Sequence, residues 1–226
     1  MNLIAAIPTR SNWQMLEPLT AQLSRLEIPT ILYDNGHESE KGRAVLEVHR
    51  KRHSLGVLRT EGWPFYRMWN HAWELAHDTG ADAVALLNDD IEIHDESLGI
   101  AYDLLMSTES VGIVGLNYRR SVSAGANQSG DSQSVSGSFR SAGIGGHAFL
   151  IKASLWGTVP AIDEGYVIWY GDDDLFANVK ESGYLLLLAL GAPVNHFEST
   201  TISAYPEVLT HASADKERFE LRHQSS

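Results

Sequence analysis

The sequence predicts an α/β fold: one domain with a mostly parallel central sheet and helices flanking both of its faces. Two observations predict it. Apolar runs of strand length alternate with segments of helical periodicity through the first half of the chain, the pattern of successive β-α-β units. Three strand-like runs also end in unusually polar loops, at 8–12, 34–35 and 88–90, and in a parallel sheet such ends share the edge where ligands bind. A chain of 226 residues can bury a substantial core without staples, and it has no cysteine from which to build a disulfide or a thiolate metal site.

The elements follow in order. Asn2 to Ile7 has the unbroken apolar character of a buried strand and stops at Pro8-Thr9-Arg10-Ser11-Asn12. Leu16, Leu19, Leu23 and Leu26 recur at helical spacing before Pro29, and Thr30 to Tyr33 forms a second strand that ends at Asp34-Asn35-Gly36. The dense basic run His49-Arg50-Lys51-Arg52-His53 reads as a solvated surface turn. Leu55 to Arg59 is a third strand. Pro64 suits the first turn of the helix after it, where Phe65, Met68, Trp69, Ala72, Trp73 and Ala76 line one face and Gly80 ends the element. Ala83 to Leu87 is a buried strand running into Asn88-Asp89-Asp90, and Ile91 to Ile93 continues as a short edge segment. A helix over Asp95 to Ser107 and a strand over Val111 to Leu116 complete the first half.

Between 119 and 146 the composition shifts to Ser, Gly, Asn and Gln, too polar to order itself by burial, so a flexible loop is expected, either a lid or a disordered insertion. Order returns at Ala148 to Lys152, with a helix over Asp172 to Ser182, a strand over Tyr184 to Leu190 and a last helix over Ala214 to Arg222.

Charge and hydropathy exclude some functions. Seventeen basic against 29 acidic residues leave a net charge of −12, which disfavours extended binding to a nucleic-acid backbone. Tyr184 to Leu190, the longest later apolar run, falls far short of the ~20 residues a membrane helix needs. The opening apolar run has no basic leader and breaks at Pro8, unlike a secretory signal, so a soluble cytoplasmic protein is expected.

Three segments carry groups suited to chemistry. Asn88-Asp89-Asp90 follows a strand directly, which suits oxygen ligation of Mg²⁺ or Mn²⁺ together with phosphate; the same residues also favour a plain turn. Asp172-Asp173-Asp174 opens a helix. Aspartates there cap free amides and suit the helix dipole, and since successive helical residues point ~100° apart the three cannot all face one site. One catalytic carboxylate with two supporting ones follows, its proton affinity raised by its neighbours so that it can serve as a general base. His196 comes just beyond an apolar strand; alone it reads as a surface or hydrogen-bonded histidine rather than a ligand, and its place relative to the two acidic clusters raises it as a candidate.

Together these segments resemble the GT-A fold inverting glycosyltransferases of the family 2 type, over roughly 2–203. Ile7 to Asn12 is similar to the family's opening loop under the nucleotide, so Pro8, Thr9 and Arg10 would contact the donor. Tyr33 to Gly36 resembles its base-binding strand end, with Asp34 on the nucleobase and Asn35 beside it. Phe65 to Ala76 takes the place of the helix that carries an asparagine near the nucleotide, best matched by Asn70, with Arg67 one turn earlier. Leu86 to Ile93 resembles the Asp-x-Asp strand, Asn88 standing in the first Asp position, Asp90 in the second as metal ligand, and Asp89 as its helper. Gly146, in 145–151, matches the glycine-led strand bordering the donor sugar. Ile162 to Gly165 resembles the Phe-Asp-Glu turn, and Gly171 to Leu175 the Glu-Asp-x-Asp-Leu helix start, with Gly171 in place of the glutamate. By this alignment Asp172 is the base, Asp173 a substitute for it, and His196 a ligand to the metal or pyrophosphate.

The resemblance implies one GT-A domain: a nucleotide-binding half at 1–118, the loop at 119–146, and a catalytic, acceptor-binding half with the last helix at 147–226. It implies a UDP- or GDP-sugar donor, Mn²⁺ or Mg²⁺, and a hydroxyl acceptor, which a glycan, a protein, a small molecule or a modified nucleobase can each supply. Two other readings use clustered carboxylates. A nucleotidyltransferase acting on a sugar phosphate normally needs a glycine-rich basic loop after the first strand, and 8–12 has neither glycine nor lysine. A non-catalytic metal- or glycan-binding module needs its ligands close together in one loop, whereas these lie some eighty residues apart.

Overall fold

The computed structural model describes residues 1–10, 13–36, 40–53, 56–118, 132–134, 144–197 and 206–223. The elements are β1 (Leu3–Thr9), α1 (Trp13–Arg25), β2 (Thr30–Asp34), α2 (Glu40–His53), β3 (Gly56–Arg59), α3 (Phe65–Asp78), β4 (Ala83–Leu87), β5 (Ile91–Ile93), α4 (Ser97–Met106), β6 (Val111–Tyr118), β7 (Ser132–Ser134), β8 (Ala148–Lys152), α5 (Gly171–Glu181), β9 (Leu185–His196) and α6 (Ala212–His223). The strands form one sheet in the order β3-β2-β1-β4-β8-β6-β9-β5, with β7 also on β9.

The first four strands pair in parallel, as β-α-β units demand, and β6 and β9 run the same way. β8 lies antiparallel between β4 and β6, and β5 and β7 lie antiparallel to β9. The sheet is therefore mixed, with its parallel half at 3–87.

Alternation along the strands divides the core in two. Leu3, Ala5 and Ile7 of β1 and Ala83, Ala85 and Leu87 of β4 join Leu16, Leu19 and Leu23 of α1 and Leu98, Ala101 and Leu105 of α4 on one face. Ala6, Val84 and Leu86 point the other way, onto Trp69, Ala72, Trp73 and Ala76 of α3 and Leu175 and Val179 of α5. Gly80, at φ +74°, ends α3 in the left-handed conformation that a helix stop favours.

Two expectations are corrected. The basic run 49–53 is the last stretch of α2, not a turn; Arg50 pairs with Glu47 three residues earlier at 2.6 Å, and among the described side chains of α2 Leu46 alone joins the core. The last strand does not stop at Leu190. It runs to His196, passing Gly191 and Pro193 through a register shift against β6, where Leu116 pairs with Ala189 but Asn117 with Pro193. Apart from 132–134 and 144–146, the predicted loop at 119–146 lies outside the described residues. No helix among the described residues is long and apolar enough to cross a membrane.

Candidate active site

The carboxyl ends of β1, β2 and β4 open on a cavity of about 850 Å³. Pro8, Thr9, Arg10, Asn35, Asn88, Asp89 and Asp90 line it from the strand ends; Gly146 and His147, just before β8, and His196, the last residue of β9, line it too. Trp63, Phe65, Tyr66 and Trp69 around the start of α3, together with the 164–169 segment and Asp172, complete the walls.

Strand register creates the polar floor. β1 and β4 pair Leu3 with Ala83 and Ala6 with Leu86, and the same offset brings Thr9 to Asp89, whose Oδ2 accepts the Thr9 hydroxyl at 2.7 Å. On the far side of β4, the Asn88 amide donates to the His147 carbonyl at 2.9 Å, extending the β4–β8 ladder and bringing Gly146 and His147 against the acidic turn. β5 pairs Ile91 with His196, and Phe197 N donates to the Asp90 carbonyl at 2.9 Å. Asp90 and His196, distant in sequence, are thus set side by side: His196 Nε2 lies 3.1 Å from Asp90 Oδ1, with side chains 18% and 6% exposed. The His147 ring stacks on His196, centroids 4.8 Å apart and planes 14° from parallel, and the Tyr118 ring meets both edge-on, which fixes the imidazole's orientation.

Asp172 lines the same cavity. A Cβ built on Gly146 would fall on the Asp172 carboxylate, so glycine at 146 is what gives that carboxylate room. One position earlier, a Cβ on Gly171 would fall on the Tyr66 ring, which is buried and anchored by its hydroxyl donating to the Ile168 carbonyl at 2.8 Å. The ring therefore takes the space that a glutamate side chain at 171 would need. Burial, reinforced by the Asp172 charge, pushes the Tyr66 phenol well above its ordinary value, so it stays protonated as a donor.

The helical turn separates the three aspartates. Asp172 faces the cavity. Asp174, ~200° further round, is fully buried; its Oδ2 accepts Asp163 N at 3.1 Å and its Oδ1 meets His223 Nε2 at 2.8 Å and Arg222 Nε at 3.0 Å. Asp173, expected as a substitute base, is not among the cavity-lining residues.

Three more expected donor contacts sit elsewhere. Asn70 is buried with its amide spent on the Ile162 backbone, Nδ2 donating to the carbonyl at 2.8 Å and Oδ1 accepting the N–H at 3.1 Å, so it holds the segment that carries Glu164. Arg67 lies over the outer Trp63 ring, 4.5 Å from its centroid. Asp34 turns away into a separate pocket of about 430 Å³ shared with Arg43 and Arg59, and its neighbours Asn35 and Gly36 open on the main cavity instead. Conversely, Glu61, the aromatic group around α3 and Trp169 line the cavity without having been given a site role from the sequence, and His147 and Glu164, from segments matched to the family's motifs, line it too.

A divalent cation fits this donor set. Asp90 and His196 offer the oxygen and imidazole donors that Mn²⁺ or Mg²⁺ accept, already adjacent and oriented from behind. No larger group of metal-ligating side chains is gathered among the described residues, so further ligands would be phosphate oxygens and water, the usual arrangement for Mg²⁺ at phosphate sites. The cavity's charge points the same way: Glu61, Asp89, Asp90, Glu164 and Asp172 face Arg10 as the only lysine or arginine among the described lining residues. A diphosphate entering that field needs a counter-cation.

No family model and no curated protein matches the sequence. Solved structures do. The mannosyltransferase PcManGT of Pyrobaculum calidifontis, in complex with GDP-Man and Mn²⁺, superposes on 96% of this chain at TM-score 0.67 and 14% identity. TarS of S. aureus, residues 1–349, superposes on 92% at TM-score 0.65 and 15% identity. The chain has the GT-A fold. Glucosyl-3-phosphoglycerate synthase of Mycobacterium tuberculosis, with Mn²⁺, UDP-glucose and glycerol 3-phosphate, shares this GT-A architecture over 82% of the chain at TM-score 0.55 and 12% identity. The GT-A domain described here spans 64% of the PcManGT chain and 63% of the TarS chain.

Proposed function

We propose that this chain is a metal-dependent inverting glycosyltransferase that moves one sugar from a UDP- or GDP-sugar to a hydroxyl acceptor. The observation that carries the reading is that Asp172 and the Asp90–His196 pair open on the same cavity. Solved structures of the same fold hold GDP-Man, UDP-GlcNAc and UDP-Glc, two of them with Mn²⁺, which supports a nucleotide-sugar donor.

In this reading Pro8, Thr9, Arg10 and Asn35 receive the nucleotide, and Asn35 replaces Asp34 as the strand-end contact because it is the residue that faces the cavity. Asp90 and His196 would hold Mn²⁺ or Mg²⁺, which supplies positive charge against the departing diphosphate. Thr9 keeps Asp89 oriented behind them through its 2.7 Å hydrogen bond. Asp172 accepts the proton of the acceptor hydroxyl as that oxygen bonds to the anomeric carbon; the bond from that carbon to the diphosphate breaks on the opposite face, and the configuration inverts. Tyr66 and Trp69 add aromatic ring surface to the lining of the cavity that Asp172 faces.

Thermal-shift measurements with UDP and GDP, each with and without Mn²⁺, test the proposal. Nucleotide and metal together should raise Tm by several degrees while each alone does little. Equal stabilisation by nucleotide in chelator would rule out the metal role, and stabilisation only by a nucleoside triphosphate with a sugar phosphate would point to nucleotidyl transfer instead.

A further inference from the structure

The cavity wall beside Asp172 is held by a residue that neither donor binding nor base catalysis involves. Asp215, in the first turn of α6, is 3% exposed, and its carboxylate accepts hydrogen bonds from successive amides: Val167 N at 3.1 and 3.2 Å, Ile168 N at 3.1 Å and Trp169 N at 3.0 Å. These amides belong to a segment without helix or strand that lines the cavity, so a ladder partner cannot satisfy them. A carboxylate accepting several backbone N–H groups makes the strong, charge-assisted form of this contact. Directly after it, Tyr170 adopts φ +64°, a left-handed turn rare for a bulky residue, and α5 begins at Gly171, with Asp172 two positions after Tyr170.

The rest of α6 fastens the same segment. Arg218 makes a two-pronged pair with Asp163, Nε to Oδ2 at 2.7 Å and Nη2 to Oδ1 at 2.9 Å, and the Phe219 ring packs on Tyr170 with centroids 5.5 Å apart. Arg222 and His223 reach Asp174 beneath. One helix thus grips the wall before, along and after the stretch that faces the cavity, and the grip on the stretch itself is Asp215 alone among these residues.

We propose that Asp215 is a positioning residue for the acceptor: by fixing the amides of Val167 to Trp169 it sets the wall against which the acceptor lies while Asp172 takes its proton. The proposal rests on the glycosyl-transfer reading for the word acceptor, and on the hydrogen bonds alone for the anchoring. In wild-type protein the amides of Val167, Ile168 and Trp169 exchange with deuterium slowly although they lie outside regular structure; this holds as a test even where a variant is too unstable to assay. Asp215→Asn speeds their exchange about tenfold or more, leaves α3 unchanged, and raises the acceptor KM about tenfold while the donor KM moves less than about twofold. Fast exchange in wild type, unchanged exchange in the variant, or equal shifts of both KM values overturn the proposal. If wild-type protein transfers no sugar from any donor, the glycosyl-transfer reading falls, and loss of slow exchange in Asp215→Asn still supports the anchoring while its persistence still overturns it.

Discussion

Gly146 lies against the carboxylate of Asp172 so closely that a Cβ built on its backbone would coincide with the acid's outer atoms. The atoms met are all in the Asp172 side chain, so a methyl group at 146 displaces that side chain rather than the backbone. Gly146→Ala is expected to lower kcat at least about tenfold while changing unfolding free energy by less than about 1 kcal/mol, measured by steady-state kinetics and urea denaturation side by side. A large loss of stability with kcat retained would show that the two residues meet for packing alone.

Gly171 and Tyr66 present the opposite case, because the atoms a Cβ would meet belong to a buried ring tied to Ile168. Gly171→Ala should cost about 1–3 kcal/mol through overpacking. Tyr66→Ala removes the ring, so adding it to Gly171→Ala should cost less than the sum of the two changes, by about 0.5–3 kcal/mol in a denaturation cycle. Strict additivity would contradict the contact.

Asn70 holds both the N–H and the carbonyl of Ile162. Asn70→Ala leaves those buried groups unsatisfied and should destabilise the fold by about 1–3 kcal/mol, with the donor Kd changed less than about threefold by titration calorimetry. A donor affinity reduced tenfold in a fully stable variant would restore the direct contact expected from the sequence.

Acid should loosen the grip of α6 on the cavity wall. The Arg218 hydrogen bonds hold the Asp163 carboxyl below its ordinary value of 3.8; burial opposes the shift, and the Gly165 amide and the charges of Arg218 and Arg222 add to it. A folded-state value below the unfolded one means that the pair's stabilisation is full above the ordinary carboxylate value and is lost as pH falls through the lowered one. The stability gap between wild type and Arg218→Met should therefore be constant from neutral pH down to about 5 and close below about 3.8. Urea midpoints across that range measure it, and a gap that closes already near neutrality would point to a histidine instead.

Much of the parallel half of the fold was legible because its signals are local. The apolar run 83–87 and the α3 stripe at Met68, Trp69, Ala72 and Trp73 encode their elements within a few residues, and both appear where periodicity puts them. α2 was missed because it offers little apolar stripe, and β9 was cut short because Gly191 and Pro193 signal a break that the register shift absorbs. Asp90, His196 and Asp172 could be singled out from strand ends and a helix start, positions that parallel topology sends to one edge. Asn70 and Arg67 could not be assigned the same way: which side of α3 meets a ligand depends on Ile162 and Trp63, which pack against it in three dimensions. The Asp215 contact spans 48 residues from Val167 and the Tyr66 contact 102 residues to Ile168, separations for which composition and spacing carry no signal.

Asp172→Asn is the most direct test of the chemistry. The change keeps shape and removes the base, so the variant should bind UDP- or GDP-sugar with Mn²⁺ as wild type does, yet transfer sugar about 10²–10⁴ times more slowly, with residual product still of inverted configuration. Full turnover in a variant that binds donor normally would contradict the account, and the proton would have to leave the acceptor by another route.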